Sequence, residues 1–442
     1  MPCKGIVFYP RENVHRARSC SVIRRINISR QTMKRREFLS SVTGITAGFS
    51  MGLSAMVAET LAEDSEIRID QPFSGAVLHH RLKSPVLGVV KGTDGKPMAL
   101  KVKVSGESPP DTAVTVNGVE CRRNGKAFET EILLRQRTNE IVVKTESNET
   151  RVTVLWLKNS VPRYRFTVDD TVFCLREIHR NGYKSLFDDY FLGNLRKRHR
   201  KYGTKVALNL FYATSVEEKI NEEREQFDLS QFSDRYKSEW RDNADWLRLL
   251  FHAKREFPNE PYKDASAETL ISDFVQVEKE IKRFAGEETY LPTTVVHFGT
   301  IRPETYASLT AHGVTALSGY YVKRNNGDYP VSYQMDVSRC DYLSKNDFLL
   351  DTDSGIVFSK MDMVLNTIPL HDVVPTLEKT IADPNTAEFV DLMTHEQYFW
   401  PLYKNYLPDH WDRLDSAFAF LAEHGYKPVF LNDPPLGLDD AR

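Results

Sequence analysis

The sequence predicts an α/β domain, built on a parallel sheet or barrel, behind a small all-β sandwich. Two patterns along its 442 residues carry that reading. Over residues 67–158, short alternating apolar runs are separated by turn chemistry at close intervals, as in an antiparallel sandwich. After Val161-Pro162, apolar residues recur at helical spacing, and each helix ends at a glycine and gives way to a short apolar strand. Helix, glycine and strand in repeated order favour right-handed crossovers between parallel strands. No near-exact repeat or low-complexity segment accompanies them.

In the first region, turns are expected at Thr93-Asp94-Gly95-Lys96-Pro97, Ser108-Pro109-Pro110-Asp111, Asn117-Gly118 and Asn124-Gly125. Strands are expected over 99–104, 113–116, 140–143 and 152–156. The run Val114-Thr115-Val116-Asn117-Gly118-Val119, then Phe128 and Leu133-Leu134, then Asn139-Glu140-Ile141-Val142-Val143, resembles the Ig-like modules attached to bacterial carbohydrate-active enzymes. The resemblance covers about one fifth of the chain and implies an Ig-like sandwich over residues 64–160. A spacer packed on its neighbour is the expected role, ahead of sugar binding.

The α/β region is expected over 161–442. Phe187, Phe191, Leu195 and His199 share a helix face over 185–202, which Gly203 stops before a strand over 205–212. Leu270, Phe274, Val277, Ile281 and Phe284 do the same over 265–285, ahead of Gly286 and a strand over 293–296. A helix over 303–311 ends at His312-Gly313 before 314–317. A last one carries Trp411, Leu414, Phe418 and Leu421 to His424-Gly425 before a strand over 427–431.

In parallel α/β folds the chemistry gathers at the C-terminal strand ends. Those ends supply Asp169 and Asp170 after the run 163–168, His252 after 246–251, His297 after 293–296, and His395 and Glu396 after 389–394. A strand sends successive side chains to opposite sides, so Asp169 and Asp170 share a site only where the backbone turns. Adjacent acids are commonly solvated turn residues, and a lone strand-end histidine is commonly structural; three such histidines with two aspartates point instead to a metal or acid–base site. Asp351, Asp353 and Asp362, with no partner in the sequence, are read as turn residues, and Trp240 and Trp246 as core.

The N-terminal part reads as an address. Met33-Lys34-Arg35-Arg36-Glu37-Phe38-Leu39-Ser40, followed by a soft apolar stretch punctuated by Gly44, Gly48 and Gly52 and closed by Thr60 and Ala62, resembles a twin-arginine (Tat) export signal over 33–62. Lys34 stands where that motif usually has Ser or Thr. The stretch is a poor transmembrane anchor, so membrane association is expected only through an uncleaved signal. Residues 1–32 are basic without apolar period and read as an extension ahead of the natural initiator, Met33. Residues 1–62 carry ten Lys/Arg and three Asp/Glu, so their removal takes the formal charge from −2 to −9. An acidic mature chain is a poor nucleic-acid binder. Cys121, Cys174 and Cys340 remain, with neither a disulfide framework nor metal spacing. A periplasmic or extracellular location follows.

Phe166-Thr167-Val168-Asp169-Asp170 resembles the first motif of the polysaccharide deacetylase (NodB-homology) superfamily, and the resemblance runs from about Tyr164 to Leu431. It implies a deformed (β/α) barrel of NodB type that hydrolyses N- or O-acetyl groups of sugars. It casts Asp169 as general base and Asp170 as a ligand of a divalent metal, zinc first, with Co, Ni or Mn as alternatives. The second motif offers a His and another four residues on; here His252 is followed by Glu256, so the third ligand is Glu256 or His297. Arg302-Pro303 loosely matches the third motif, and Thr171 replaces the usual glycine after the Asp pair. His395 matches the general acid of the fifth motif. Glu396, Tyr398, Trp400 and Tyr403 are the candidate substrate-binding residues, the aromatics suiting the C–H faces of a polysaccharide or glycan; some of these rings read equally as staples for the last helix.

Three readings follow: a metal-dependent carbohydrate deacetylase or esterase; a glycoside hydrolase on the same barrel with two carboxylates across a sugar, for instance Asp169 and Glu396; and an exported, non-catalytic glycan-binding protein. There is no phosphate-binding glycine loop, nucleophile elbow or dinucleotide fingerprint.

Overall fold

The structure, a computed structural model, describes residues 66–158, 160–215 and 226–432. The expected extension at 1–32 and signal at 33–62 lie outside the described residues. Among those described, no helix is long and apolar enough to cross a membrane.

The first region folds as two five-stranded sheets. Pro97–Glu107 pairs antiparallel with Ala127–Leu134 in one, and Thr138–Lys144 with Glu149–Trp156 in the other. Alternation drives this: Leu100, Val102, Val104, Phe128 and Ile132 face Val116, Ile141, Val143, Val154 and Trp156 across one apolar core, while their neighbours along each strand face outward. The Asn117-Gly118 hairpin is as read from sequence, both residues having positive φ (+47° and +82°).

The sandwich packs on the second region through a seam of Val77, Leu155 and Leu157 against Phe348, Val357, Phe389 and Val429. There the Leu350 amide donates to the Gly75 carbonyl (2.8 Å). A Cβ on Gly75 would lie 2.1 Å from the Leu350 oxygen, so only glycine allows this approach.

The second region is α/β, with Arg163–Thr171 at the centre of its main sheet. Val206–Phe211 and Phe389–His395 flank it, and Leu247–Ala253 and Met363–Val364 lie outside them, each pair parallel. A smaller sheet pairs Ala316–Gly319 parallel with Val357–Lys360. The two are bridged by an irregular segment: Leu249 bonds Thr289 and Leu291, and Ser318 bonds Thr294. The strand read at 293–296 is this segment, and the strand read at 427–431 shortens to Lys427–Pro428. The helix read over 185–202 is two, a short turn at Leu186–Asp188 and a helix at Tyr190–Tyr202, because the Asp189 carboxylate caps Phe191 and Leu192 (3.0 and 2.9 Å).

Along the central strand, Tyr164 and Phe166 face the last helix, His410–Glu423, where Phe418 meets both rings. The alternate residues Arg163, Arg165, Thr167 and Asp169 face the other way and are also buried. A buried guanidinium requires a paired anion: Arg165 donates to both oxygens of Asp391 (2.7 and 2.8 Å), and Ser318 and Ser359 donate to Asp391 Oδ2 (2.8 and 3.1 Å). Asp362 is a correction to the sequence reading: its side chain is 1% exposed, pairs with Lys360, and accepts the Asp391 amide (3.0 Å). Asp351 too is buried, bonded to Arg339.

Two predictions follow. Asp391→Ala leaves Arg165 buried and unpaired and is expected to cost about 3–5 kcal/mol in urea unfolding; a loss under about 1 kcal/mol would contradict the assignment. His79 is 2% exposed, and burial, with His80, Arg163 and Arg81 adding to it, pushes its imidazole down to about 3. The unfolded chain takes up this proton near pH 6.5 and the folded one does not, so stability falls as pH drops below 6.5, by about 2.7 kcal/mol over two units. His79→Leu is expected to flatten the pH dependence of unfolding between pH 6 and 4 by about one proton.

Candidate metal centre

Two bulges and a turn assemble the site. Against Val206–Phe211, the central strand pairs Val168 with Leu208 and next Thr171 with Leu210, so Asp169 and Asp170 occupy a bulge, and Asp170 adopts φ +57°. Left-handed backbone is tolerable for Asp and reverses the alternation, which lets two adjacent carboxylates face one site. The next strand pairs Phe251 with Leu210 and then Ala253 with Phe211, leaving His252 as the extra residue of a second bulge. His297 begins a short turn, His297–Gly299, in which Phe298 has φ +60°. Non-glycine residues forced left-handed mark positions where surrounding structure dictates the backbone.

The side chains converge. His252 Nδ1 faces the Val295 carbonyl (3.0 Å), which makes that nitrogen the N–H donor and leaves a lone pair on Nε2. His297 Nε2 faces the Glu256 carbonyl (3.3 Å), which leaves the lone pair on Nδ1. Those two free nitrogens lie 3.0 Å apart, and 3.2 and 3.4 Å from Asp170 Oδ1. Asp170, His252 and His297 each offer one ligand atom, all within 4.8 Å of one another and all buried. Asp170 Oδ1 has no hydrogen-bond donor of good geometry. A buried carboxylate oxygen facing two imidazole lone pairs lacks a cation, and one carboxylate with two imidazoles suits zinc, cobalt, nickel or manganese.

The electrostatics separate the two imidazoles. Burial alone would push the Asp170 carboxyl up, but His395, His252 and His297 hold it well below the usual carboxylate range. Burial pulls His252 down, and Asp169 and Asp170 outweigh it and raise it. His297 is pushed down to about 3, mainly by burial, and so stays neutral.

Around this set, Gln397 Nε2 donates to Asp170 Oδ2 (2.9 Å). Asn209 Nδ2 donates to Asp169 Oδ1 and to Thr167 Oγ1 (both 2.6 Å). Asp169 pairs in register with His395 on the adjacent parallel strand, so the two share a sheet face. His395 Nδ1 faces Asn366 Oδ1 (2.9 Å), and its Nε2 lies 3.9 Å from Asp170 Oδ2.

Not every residue singled out in the sequence arrives here. The Glu256 carboxylate is not in the converging set; what this residue presents to His297 is its main-chain carbonyl. Arg302 is half-exposed and lies 3.6 Å from Asp264, apart from the centre. Glu396 is corrected: fully buried, it accepts the amides of Val172, Phe173 and Cys174 (2.8, 2.8 and 2.7 Å) at the start of the helix Phe173–Asn181. An anion among N-terminal helix amides is favourable in itself and faces no groove. Glu396 is thus unavailable as the example partner of Asp169 in the glycoside hydrolase reading. Trp400 is corrected too, buried with its indole N–H on Glu396 Oε1 (3.3 Å). Tyr398 and Tyr403 are half-buried, edge to face at 5.4 Å, with Tyr398 6.1 Å from the His395 ring.

The sequence reading missed Asn209, Gln397 and Asn366. Asn209 had a signal, a lone amide inside an otherwise apolar strand core; Gln397 and Asn366 lie on short turns with none.

No family model and no curated protein matches the chain. Among solved structures, it is similar to the Bc1960 peptidoglycan N-acetylglucosamine deacetylase, at 10% identity and TM-score 0.32, over 61% of this chain and 86% of that one. It is also similar to BA3943, a CE4 family pseudoenzyme from Bacillus anthracis, at 10% identity and TM-score 0.26, over 62% and 64%. A mutant of that protein matches at 10% and 0.27, over 64% and 74%. The type of protein that the Asp pair resembles in sequence is thus found among the structural matches. At these scores the likeness carries no argument about the reaction, which rests on the site's own geometry.

Glu396 gives a direct check. Glu396→Ala leaves three buried amides without an acceptor and is expected to lower stability by about 2–4 kcal/mol in chemical denaturation, with metal content retained in the folded fraction. Unchanged stability would return Glu396 to the list of residues available to substrate.

Proposed function

We propose that this protein is a metal-dependent hydrolase that removes acetyl groups, from nitrogen or oxygen, of an extracytoplasmic polysaccharide. The observation that carries the reading is the convergence of Asp170 Oδ1, His252 Nε2 and His297 Nδ1, with both imidazole tautomers fixed by main-chain carbonyls. We take the α/β region as a deformed (β/α) barrel of NodB type, supported by the bonds that bridge its two sheets, and the sandwich as an Ig-like spacer. The twin-arginine segment supports export to the periplasm or beyond.

A divalent metal held by Asp170, His252 and His297 would supply Lewis acidity, polarising the acyl carbonyl and lowering the pKa of a water. The chain's own groups handle the protons. Asp169, its Oδ1 held by Asn209, accepts a proton from the water that attacks the carbonyl carbon. His395, held at Nδ1 by Asn366, donates from Nε2 to the leaving nitrogen or oxygen as its bond to the acyl carbon breaks, and acetate departs. Gln397 restrains the second oxygen of Asp170, leaving Oδ1 for the metal. Tyr398 and Tyr403, beside His395, offer ring faces to a sugar.

The test is elemental mass spectrometry of the purified protein with acetate release from acetylated glycans. About one metal equivalent is expected in the wild type, falling at least tenfold in folded Asp170→Ala, His252→Ala and His297→Ala. Asp169→Asn and His395→Gln are expected to keep the metal and lose about 10²–10⁴-fold in kcat. Glu256→Gln is expected to retain metal. No metal in the wild type under metal-replete conditions would sink the reading; metal with no acetate from any acetylated glycan would leave the non-catalytic glycan binder.

A further inference from the structure

His395 is the last residue of its strand, its side chain about one fifth exposed, and nothing in its own backbone fixes the ring. What faces its inner nitrogen is a side-chain amide. Asn366 Oδ1 lies 2.9 Å from His395 Nδ1, and a carboxamide oxygen can only accept, so this nitrogen carries the hydrogen. Asn366 is in turn held. Thr394 Oγ1 donates to the same Asn366 oxygen (3.2 Å) and lies 2.6 Å from His410 Nε2. Thr394 has one hydroxyl hydrogen; with that on Asn366, His410 must donate from Nε2. His410 is buried beneath the Phe399 ring at 4.3 Å, so the chain ends in the core and not in solvent. Thr394 and Asn366 are buried as well.

We propose that Asn366 is a positioning residue for His395, fixing the Nδ1–H tautomer and the ring orientation so that Nε2 faces the Asp170 side of the site, with Thr394 and His410 holding the amide in place. The assignment rests on the hydrolase reading for its purpose, though its geometry stands apart from it. An amide suits the position because it orients the ring without adding another anion beside Asp169 and Asp170. Buried, it receives both of these bonds on its oxygen, the His395 ring on one side and the Thr394 hydroxyl on the other.

The tautomer is directly readable. In the full-length protein labelled with ¹⁵N-histidine, at a pH well above the ordinary imidazole value of about 6.5, the ring nitrogens report which one carries hydrogen, and His395→Gln identifies the signals. Wild type and Asn366→Asp are expected to hold His395 as Nδ1–H. In Asn366→Ala the ratio of tautomers is expected to move about tenfold toward Nε2–H, as loss of one hydrogen bond allows. Thr394→Val, which keeps the shape and removes the hydroxyl, is expected to move it in the same direction by less. If acetate release is observed, Asn366→Ala should lower kcat by about 10²-fold with KM little changed. A wild-type tautomer ratio in folded Asn366→Ala, or in Thr394→Val should the first not fold, would overturn the proposal. A shifted ratio in a protein that releases no acetate would overturn the hydrolase reading and leave the positioning role standing.

Discussion

The site depends on one buried carboxylate oxygen, Asp170 Oδ1, held against two imidazole lone pairs. Such an arrangement is unfavourable alone, since a desolvated anion and two acceptors offer one another nothing without a cation or proton. The chain maintains it through the backbone. Bulges at Asp169-Asp170 and at His252 break the strict alternation of two neighbouring strands, and each turns inward a side chain that ideal pairing would have pointed elsewhere. Main-chain carbonyls of Val295 and Glu256 then settle which nitrogen of each imidazole is free. Four bonds outside the ligand set, counting Gln397 on Asp170 and Asn209 on Asp169, restrict what each group can do.

That precision requires a stiff support, and the sheet provides it with buried polar groups where a simpler fold would use aliphatic ones. Arg165 and Asp391, on adjacent strands, lock their register two positions from Thr167 and four from Asp169. Glu396 binds the strand carrying His395 to the first helix turn after Asp170, so the two ends of the site are joined by three hydrogen bonds independent of the sheet. Buried ions are weak contributors to net stability, and breaking one is costly because the partner stays behind. Their value here is geometric: they hold the register that sets Asp169 opposite His395.

Periodicity made the architecture legible. Strand ends at Asp170, His252 and His395 could be read because apolar runs stop there and polar chemistry begins, and His297 was reached although its strand is an irregular segment. The bulges could not be read, since an extra residue in a ladder leaves the composition of the strand unchanged. Glu396 was read from the same strand end as His395, whereas the turn Glu396–Phe399 sends its carboxylate to the helix amides of Val172–Cys174. Glu256, four residues after His252, was an alternative to His297 through the resemblance to the second motif, and the loop presents its carbonyl to His297. Asn366 lies about thirty residues from His395 on a turn without pattern, so only the fold joins them.

The corrections bear on the chemistry. A hydrolase acting with two carboxylates across a sugar needs both in the groove with different proton affinities. Glu396 is committed to three amides and an indole, which leaves Asp169 with a histidine, not a second acid, across from it. Under the proposed reading that asymmetry suits acyl transfer over glycosidic cleavage: the attacking water would lose its proton to a carboxylate while the leaving group would receive one from an imidazole. The same asymmetry explains why neutral amides flank both groups. Asn209 on Asp169 and Asn366 on His395 fix one atom of each and leave the other open, and neither adds charge to a centre whose net charge must be set by the ligands and whatever cation they hold.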